Sequence, residues 1–354
     1  MNGMDRRRFL ALTSSMGALA TAPWIPGLSL AAGKGVSCKD LVVGTWGGDN
    51  QTLFDKYITE PYVKPAGGSI IYDVGDYTSR MTKMRASRNA HRAAMDISTL
   101  GDIDMLEMSE AGTLAPVDEA HVPNLANVYE DFRVSYAVPH FYSAMALVYN
   151  PERMDRPASL RDALNPKYRG RFAFSNTPDL HNVLFSTLAG GGDGSSFDPA
   201  YKFLRELRKN EPKVFPSNEA LAVALKSGDV WMSCIWKARG LQWKKAGLPL
   251  ELVFPEEGSV TTTFMVAATR NSKSLDCAYA YLNAALEPAA QRGFAESFGY
   301  APTVRNADLP AELAANVSFT DEERKRFMKL DYHKVIAEKQ ALLDFWAKEF
   351  KFGL

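Results

Sequence analysis

The stretch Leu41–Tyr57, LVVGTWGGDNQTLFDKY, constrains the fold of this chain more than any other. It reads as a short apolar strand, Leu41-Val42-Val43, that runs through Thr45-Trp46-Gly47-Gly48 into an amphipathic helix. Asp49 or Asn50 is placed to cap that helix, because a short side-chain oxygen accepts a bond from a free first-turn N–H. A strand that feeds a helix through a glycine turn puts the turn at the carboxyl edge of an α/β sheet. Open α/β folds bind ligands at that edge. Gly47 lets a ligand approach the backbone. The Trp46 indole offers a flat face to an alkyl chain or a cation. Its alternative role is to plug the core at a strand end.

The same unit recurs along the chain. Ser69–Tyr72 is a second strand, followed by Asp76 and Tyr77 and by a helix that Ser79 or Thr78 is placed to cap. Met95–Leu100 is a third, ending at Gly101-Asp102 before a helix over Asp104–Ala111. Alternation of strand and helix implies a parallel sheet. Three polar or aromatic strand ends on one edge would make a ligand site from loops on a rigid frame. Each aspartate has helix capping as its other explanation. A long apolar strand, Val138–Asn150, carries Tyr142-Ser143 and opens a second α/β unit. In that unit Arg171–Ser175 turns through Asn176-Thr177-Pro178-Asp179 into a helix, and Asp229–Ile235 ends at Trp236-Lys237-Ala238-Arg239. Phe264–Ala268 reads as a return strand after Thr261-Thr262-Thr263, and Asp321–Phe352 as a charged helical end.

The 354 residues have formal net charge zero and 46% hydrophobic content, which suits a globular protein of more than one lobe. A neutral balance argues against nucleic acid as a partner. The N-terminus reads as a targeting segment. Arg6-Arg7-Arg8-Phe9-Leu10 precedes the apolar run Ala11–Ala22 and the small residues around Ala31. Those are the parts of an export signal of the twin-arginine type, spanning 1–31, with cleavage after Ala31 into the periplasm of a Gram-negative bacterium. The three cysteines, Cys38, Cys234 and Cys277, allow one disulfide and one free thiol in an oxidising compartment. Spacing does not choose the pair, although Cys234 sits in an apolar run suited to a plain buried thiol. The five histidines make no HExxH or HxH spacing, Gly190–Ser196 lacks the ending of a phosphate loop, and no Gly-x-Ser-x-Gly turn is present. The expectation is a non-enzyme with no cofactor and no metal.

The mature chain resembles the periplasmic solute-binding proteins of ABC importers, and is most similar to their spermidine/putrescine-binding branch. The resemblance is carried by Val43-Gly44-Thr45-Trp46-Gly47-Gly48, Val148-Tyr149-Asn150-Pro151, Gly228-Asp229-Val230-Trp231, Phe254-Pro255-Glu256-Glu257-Gly258 and Gly299-Tyr300-Ala301-Pro302-Thr303, in order over about 270 residues. It implies an α/β fold of the type II periplasmic binding protein kind, with two lobes, a hinge and a central cleft. One lobe would be 36–141 plus 261–305, the other 142–260 plus 306–354. It also implies a monomer that closes on a small-molecule ligand and docks on an ABC permease with its ATPase in the inner membrane.

Polyamine-type members hold an ammonium chain with carboxylates and aromatic walls. By that likeness Trp46, Trp236 and Tyr300 would be walls, Asp102 and Asp179 would supply charge from opposite lobes, and Thr262 and Tyr142 would hydrogen-bond the solute. Gly47, Asp76, Tyr77 and Asn176 would complete the site. One departure stands out: the return strand has Thr261-Thr262-Thr263-Phe264 where polyamine binders carry a tryptophan and an aspartate. A buried ammonium without an adjacent carboxylate is costly. Lys237 and Arg239, if turned inward, would favour an anionic or zwitterionic solute, with Arg239 as its clamp.

Overall fold

The computed structural model describes residues 38–353. The expected export signal, 1–31, lies outside the described residues. Ten strands form one sheet: β1 (Leu41–Thr45), β2 (Ile70–Val74), β3 (Ile97–Gly101), β4 (Val138–Tyr149), β5 (Phe172–Ser175), β6 (Lys213–Phe215), β7 (Met232–Trp236), β8 (Glu251–Val253), β9 (Thr261–Ala268) and β10 (Ala301–Pro302). The order is β2-β1-β3-β9-β4-β7-β5-β6, with β8 and β10 also on β4.

The sheet is mixed, not parallel throughout. β1 pairs with β2 and β3 in parallel, as β5 does with β6 and β7. Every pairing of β4 and β9 is antiparallel. The reason lies in connectivity. β4 leaves the first set of strands and β9 runs back to it, so each meets its neighbours head to tail. β4 changes partners midway: Val138–Ala144 face β9, and Met145–Tyr149 face β7. Both its faces are covered, so all twelve of its residues are buried and the strand reads as a continuous apolar run.

Helices cover both faces of each half. In the first, Leu275–Ala285 and Pro288–Phe298 pack over Val43, Ile97, Phe141 and Val266, while Met81, Met84, Met105 and Met108 cover Leu100 and Met265. In the second, Asp179–Ala189 and the C-terminal helix Tyr332–Asp344 cover Met145, Leu147, Phe174 and Cys234, and Leu221, Leu225 and Trp243 cover Val148 and Ile235. The C-terminal region is not one helix but Ala311–Val317, Asp321–Lys325, Tyr332–Asp344 and a wider turn to Phe350.

Several expected caps differ. The first helix begins at Asp49 itself, after Gly48 at φ 64, and neither Asp49 nor Asn50 caps it. Gly48 supplies the left-handed turn that a side chain would strain. Asp76, not Ser79 or Thr78, caps Tyr77–Ser87, accepting from the Ser79 N–H at 2.8 Å. Cys38 bonds Cys277, and Cys234 is free and buried. Among the described residues no helix is long and apolar enough to cross a membrane.

Candidate ligand site at the strand ends

The β9–β4 register decides which side chains share a face. Phe141 lies opposite Phe264, Tyr142 opposite Thr263, and Ser143 opposite Thr262. Side chains alternate along a strand. Thr262 and Phe264 therefore share a face with Phe141 and Ser143, and Tyr142 points to the other. On the first face the edge of Phe264 meets Trp46, with ring centroids 5.6 Å apart, and Phe264 meets Tyr300 at 5.5 Å. Trp46 at the end of β1, the β9 residues and Tyr300 before β10 thus form a continuous aromatic wall. Trp46 stays partly exposed, and Gly47 beside it is exposed.

Trp236 closes β7 opposite Met145. It is partly exposed, and His181 lies edge-on to it at 4.7 Å. Burial pushes the His181 pKa down to about 4, so the ring is neutral at pH 7, and its Nε2 is buried without a partner. Arg239 follows in the first turn of helix Lys237–Lys245. It is half-buried and close enough for its charge to act on both Tyr300 and Glu219. Among the described residues it makes no ion pair or hydrogen bond. Burial lifts the Tyr300 phenol to about 12 despite that cation, so Tyr300 acts only as a neutral hydrogen-bonding group. Lys237 turns elsewhere: its ammonium reaches the Ser318 carbonyl and stands over the Phe319 ring.

The carboxylates stand differently from the sequence expectation. Asp102 is 3% exposed and already accepts three hydrogen bonds, from Thr263 N–H at 2.9 Å, Ile103 N–H at 3.0 Å and the Tyr332 hydroxyl at 3.0 Å. It ties the C-terminal helix to the start of helix Asp102–Glu110, and its burial keeps the carboxylate from solvent. Asp76 is spent on its helix cap, with Tyr77 exposed beside it. Asn176 accepts from Trp346 Nε1 at 2.9 Å and Lys351 Nζ at 3.2 Å. Tyr142 packs between Phe132 and Phe319 on the far face, away from Thr262. Asp179 alone keeps a carboxylate with spare capacity. It accepts only from Leu180 N–H at 2.7 Å, is half-buried, and has its pKa raised by that burial.

Three contributors escaped the sequence reading. Phe264 was within reach, since it stands two residues from Thr262 on the same face. His181, edge-on to Trp236, and Arg80, whose guanidinium lies over the Trp46 ring at 4.3 Å, carried no local signal, because their neighbours come from distant segments. A concavity of about 460 Å³ adjoins the Trp46 turn, lined by Asp49, Thr52, Leu53, Gln242, Lys245 and Phe298 among others. A groove of about 830 Å³ on the other side of helix Lys237–Lys245 contains none of the expected site residues.

A family model described as bacterial extracellular solute-binding protein matches residues 58–321, three quarters of the chain. The chain belongs to that family. Over 329 residues this solute-binding protein is 23% identical to the spermidine/putrescine-binding periplasmic protein of Salmonella typhimurium, covering 86% of this chain and 93% of the relative. Its fold matches that of an ABC transporter substrate-binding protein from Bradyrhizobium japonicum, with TM-score 0.76, 22% identity, and coverage of 88% and 99%. It also matches the binding protein AgtB of A. tumefaciens in complex with agropinic acid, with TM-score 0.69, 18% identity, and coverage of 87% and 97%. These relatives are transport binding proteins, not enzymes. Solute-binding proteins of this kind capture a small molecule outside the cytoplasm and hand it to the permease of an ABC importer.

Proposed function

We propose that this protein is the periplasmic receptor of an ABC uptake system for a small solute bearing a carboxylate or similar anion, zwitterions included, with Arg239 as the clamp. One observation carries the reading. Arg239 is a half-buried guanidinium that makes no ion pair or hydrogen bond among the described residues, in the turn after Trp236 and within charge range of Tyr300 and Glu219. Guanidinium groups bind carboxylates through two parallel hydrogen bonds, and a desolvated pair of that kind is strong. Asp102, the acid expected to hold an amine, is 3% exposed and already accepts from Thr263, Ile103 and Tyr332. The fold neighbour bound to agropinic acid supports an acidic ligand on this scaffold.

Capture would proceed by closure of 36–141 plus 261–305 on 142–260 plus 306–354, about the two crossing strands. Trp46, Phe264 and Tyr300 would wall the solute on one side and Trp236 on the other, with Thr262 at the floor. The second reading is a polyamine such as putrescine or spermidine. It is supported by the curated relatives and by the spare carboxylate of Asp179.

The test is a thermal-shift and calorimetry panel of diamines, amino acids and small carboxylates on refolded mature protein. A ligand at ~100 times its dissociation constant adds about 2.7 kcal/mol and raises the melting point visibly. We expect acids or zwitterions to bind, and Arg239→Gln to weaken them by roughly a hundredfold, about 2–3 kcal/mol for a charge-assisted pair. Stabilisation by diamines alone, with Asp179→Asn abolishing it, would establish the polyamine reading instead.

A further inference from the structure

Behind Trp46 lies a second cation that receptor closure does not require. Arg80 rises from helix Tyr77–Ser87 and is only 1% exposed. Its guanidinium stacks on the Trp46 indole at 4.3 Å. Nε donates to the Thr99 carbonyl at 3.2 Å and Nη1 to the Gly75 carbonyl, while Nη2 is buried with no partner. Gly44 in β1 makes the room, because a Cβ there would come within 3.0 Å of the Arg80 Cδ and 2.5 Å of the Met95 sulfur. The carboxylates whose charge reaches Arg80 are Asp76, Asp73 and Asp104. Each is engaged elsewhere: Asp76 caps its helix, Asp73 pairs with Lys83 at 2.7 Å, and Asp104 pairs with Lys339 at 2.7 Å. A buried guanidinium normally has its anion beside it. This one has an aromatic plate, the Trp46 indole, which stays partly exposed at the candidate site.

We propose that Arg80 is a specificity-determining residue, a fixed positive charge behind Trp46 that makes this wall of the cleft reject ammonium groups and accept neutral or anionic ones. The inference rests on the receptor reading above and sharpens it. An aromatic wall ordinarily attracts ammonium groups through its negative face. Here one face is already occupied by a cation. A second cation against the exposed part of the indole would lie about 8 Å from the first. At the effective dielectric of a protein site their repulsion weakens binding roughly thirtyfold. A carboxylate at that end gains from the same field, and an apolar end is indifferent to it. With Arg239 after Trp236, each aromatic wall has a cation next to it that makes no ion pair, against the spare carboxylate of Asp179, and the preferred solute is an anion or zwitterion, not a diamine.

The experiment compares putrescine, 4-aminobutanoate and succinate, with three- to six-carbon homologues of each, on the mature protein and on Arg80→Met and Arg80→Lys. We expect the acids to outbind the diamines on the unaltered protein. Arg80→Met should strengthen diamine binding by about thirtyfold and weaken the diacid, so that the ratio of dissociation constants shifts toward the diamine by at least about thirtyfold, and Arg80→Lys should leave it within about threefold. A merely structural role would weaken all solutes alike, so an unchanged ratio in Arg80→Met overturns the proposal. Should Arg80→Met fail to fold, Arg239→Gln supplies the second arm. With that cation gone, diacids must still outbind diamines at least tenfold, and parity overturns the proposal. Binding of no member to the unaltered protein would overturn the receptor reading for this ligand class, and this inference with it.

Discussion

Asp102 was expected to hold a ligand and instead holds the molecule together. Its carboxyl accepts three hydrogen bonds, yet burial outweighs them and pushes its pKa up to about 6. An aspartate in the unfolded chain titrates near 4. Between about pH 4 and 6 the folded protein therefore keeps a proton that the unfolded chain has lost. Stability attributable to this group is highest below pH 4, falls as pH rises through that window by on the order of 2–3 kcal/mol, and is level above it. Asp102→Asn should flatten this slope while keeping acceptors for the Thr263 amide and the Tyr332 hydroxyl. Urea unfolding at pH 4.5 and pH 7 measures it. A slope unchanged in the variant would assign the effect to another group. His140 and His181 are both driven toward neutrality by burial, to about 3 and about 4, whereas a histidine of the unfolded chain titrates near about 6.5, so they add stability as pH rises and oppose the Asp102 slope, which is read as the difference between the variant and the unaltered protein at each pH.

Two elements act as fasteners. The C-terminal helix Tyr332–Asp344 is anchored in the second half of the sheet by Val335 and Leu342. It reaches the helix Asp102–Glu110 of the first half through Tyr332 to Asp102 at 3.0 Å, Lys339 to Asp104 at 2.7 Å and to Glu107 at 3.2 Å, and His333 to Glu110 at 2.7 Å. Lys339 is 22% exposed and serves two acids, so its removal matters more than that of a surface pair. Tyr332→Phe and Lys339→Met should each cost about 1 kcal/mol. They should also speed amide exchange in 102–110 with little change elsewhere; uniform acceleration would mean global destabilisation only. The second fastener is Cys38–Cys277, which ties the start of β1 to the helix Leu275–Ala285 across 239 residues of sequence. Reduction should lower stability by about 2–5 kcal/mol, read as a lower melting point in dithiothreitol that Cys234→Ser does not reproduce.

At the scale of the whole molecule, the proposed capture would depend on the two sets of strands meeting only at β4 and β9. β4 is the longest strand, and it passes from one set of partners to the other between Ala144 and Met145. β9 begins at Thr261, next to that point. Rotation there would open and close the strand ends that carry Trp46 and Trp236. Saturating ligand should therefore reduce the radius of gyration in small-angle scattering, and Tyr332→Phe with Lys339→Met should enlarge the ligand-free protein. An unchanged radius in both comparisons would mean that the halves do not move.

The order of strands and helices was legible from sequence because it is written in local periodicity and in the residues between runs. Leu41–Thr45 and Phe172–Ser175 are examples. The strand ends holding Trp46 and Trp236 were legible for the same reason, whereas Tyr300 came only from the family likeness. Pairing direction was not, because it depends on which distant segment arrives beside which strand. That is why β4 and β9 turned a parallel expectation into a mixed sheet. The roles of the charged residues lay further out of reach. Asp102, Asp76, Arg80 and Arg239 are local in sequence, but whether a charge is free depends on partners brought from elsewhere. Tyr332 arrives from 230 residues away to occupy Asp102, and Trp46 arrives to cover Arg80, whereas Arg239 is left open. Sequence alone determined the alternation of elements and pointed to one sheet edge as the candidate site. Only the tertiary structure decided which charges remain to meet it, because desolvation and pairing are properties of the packed whole.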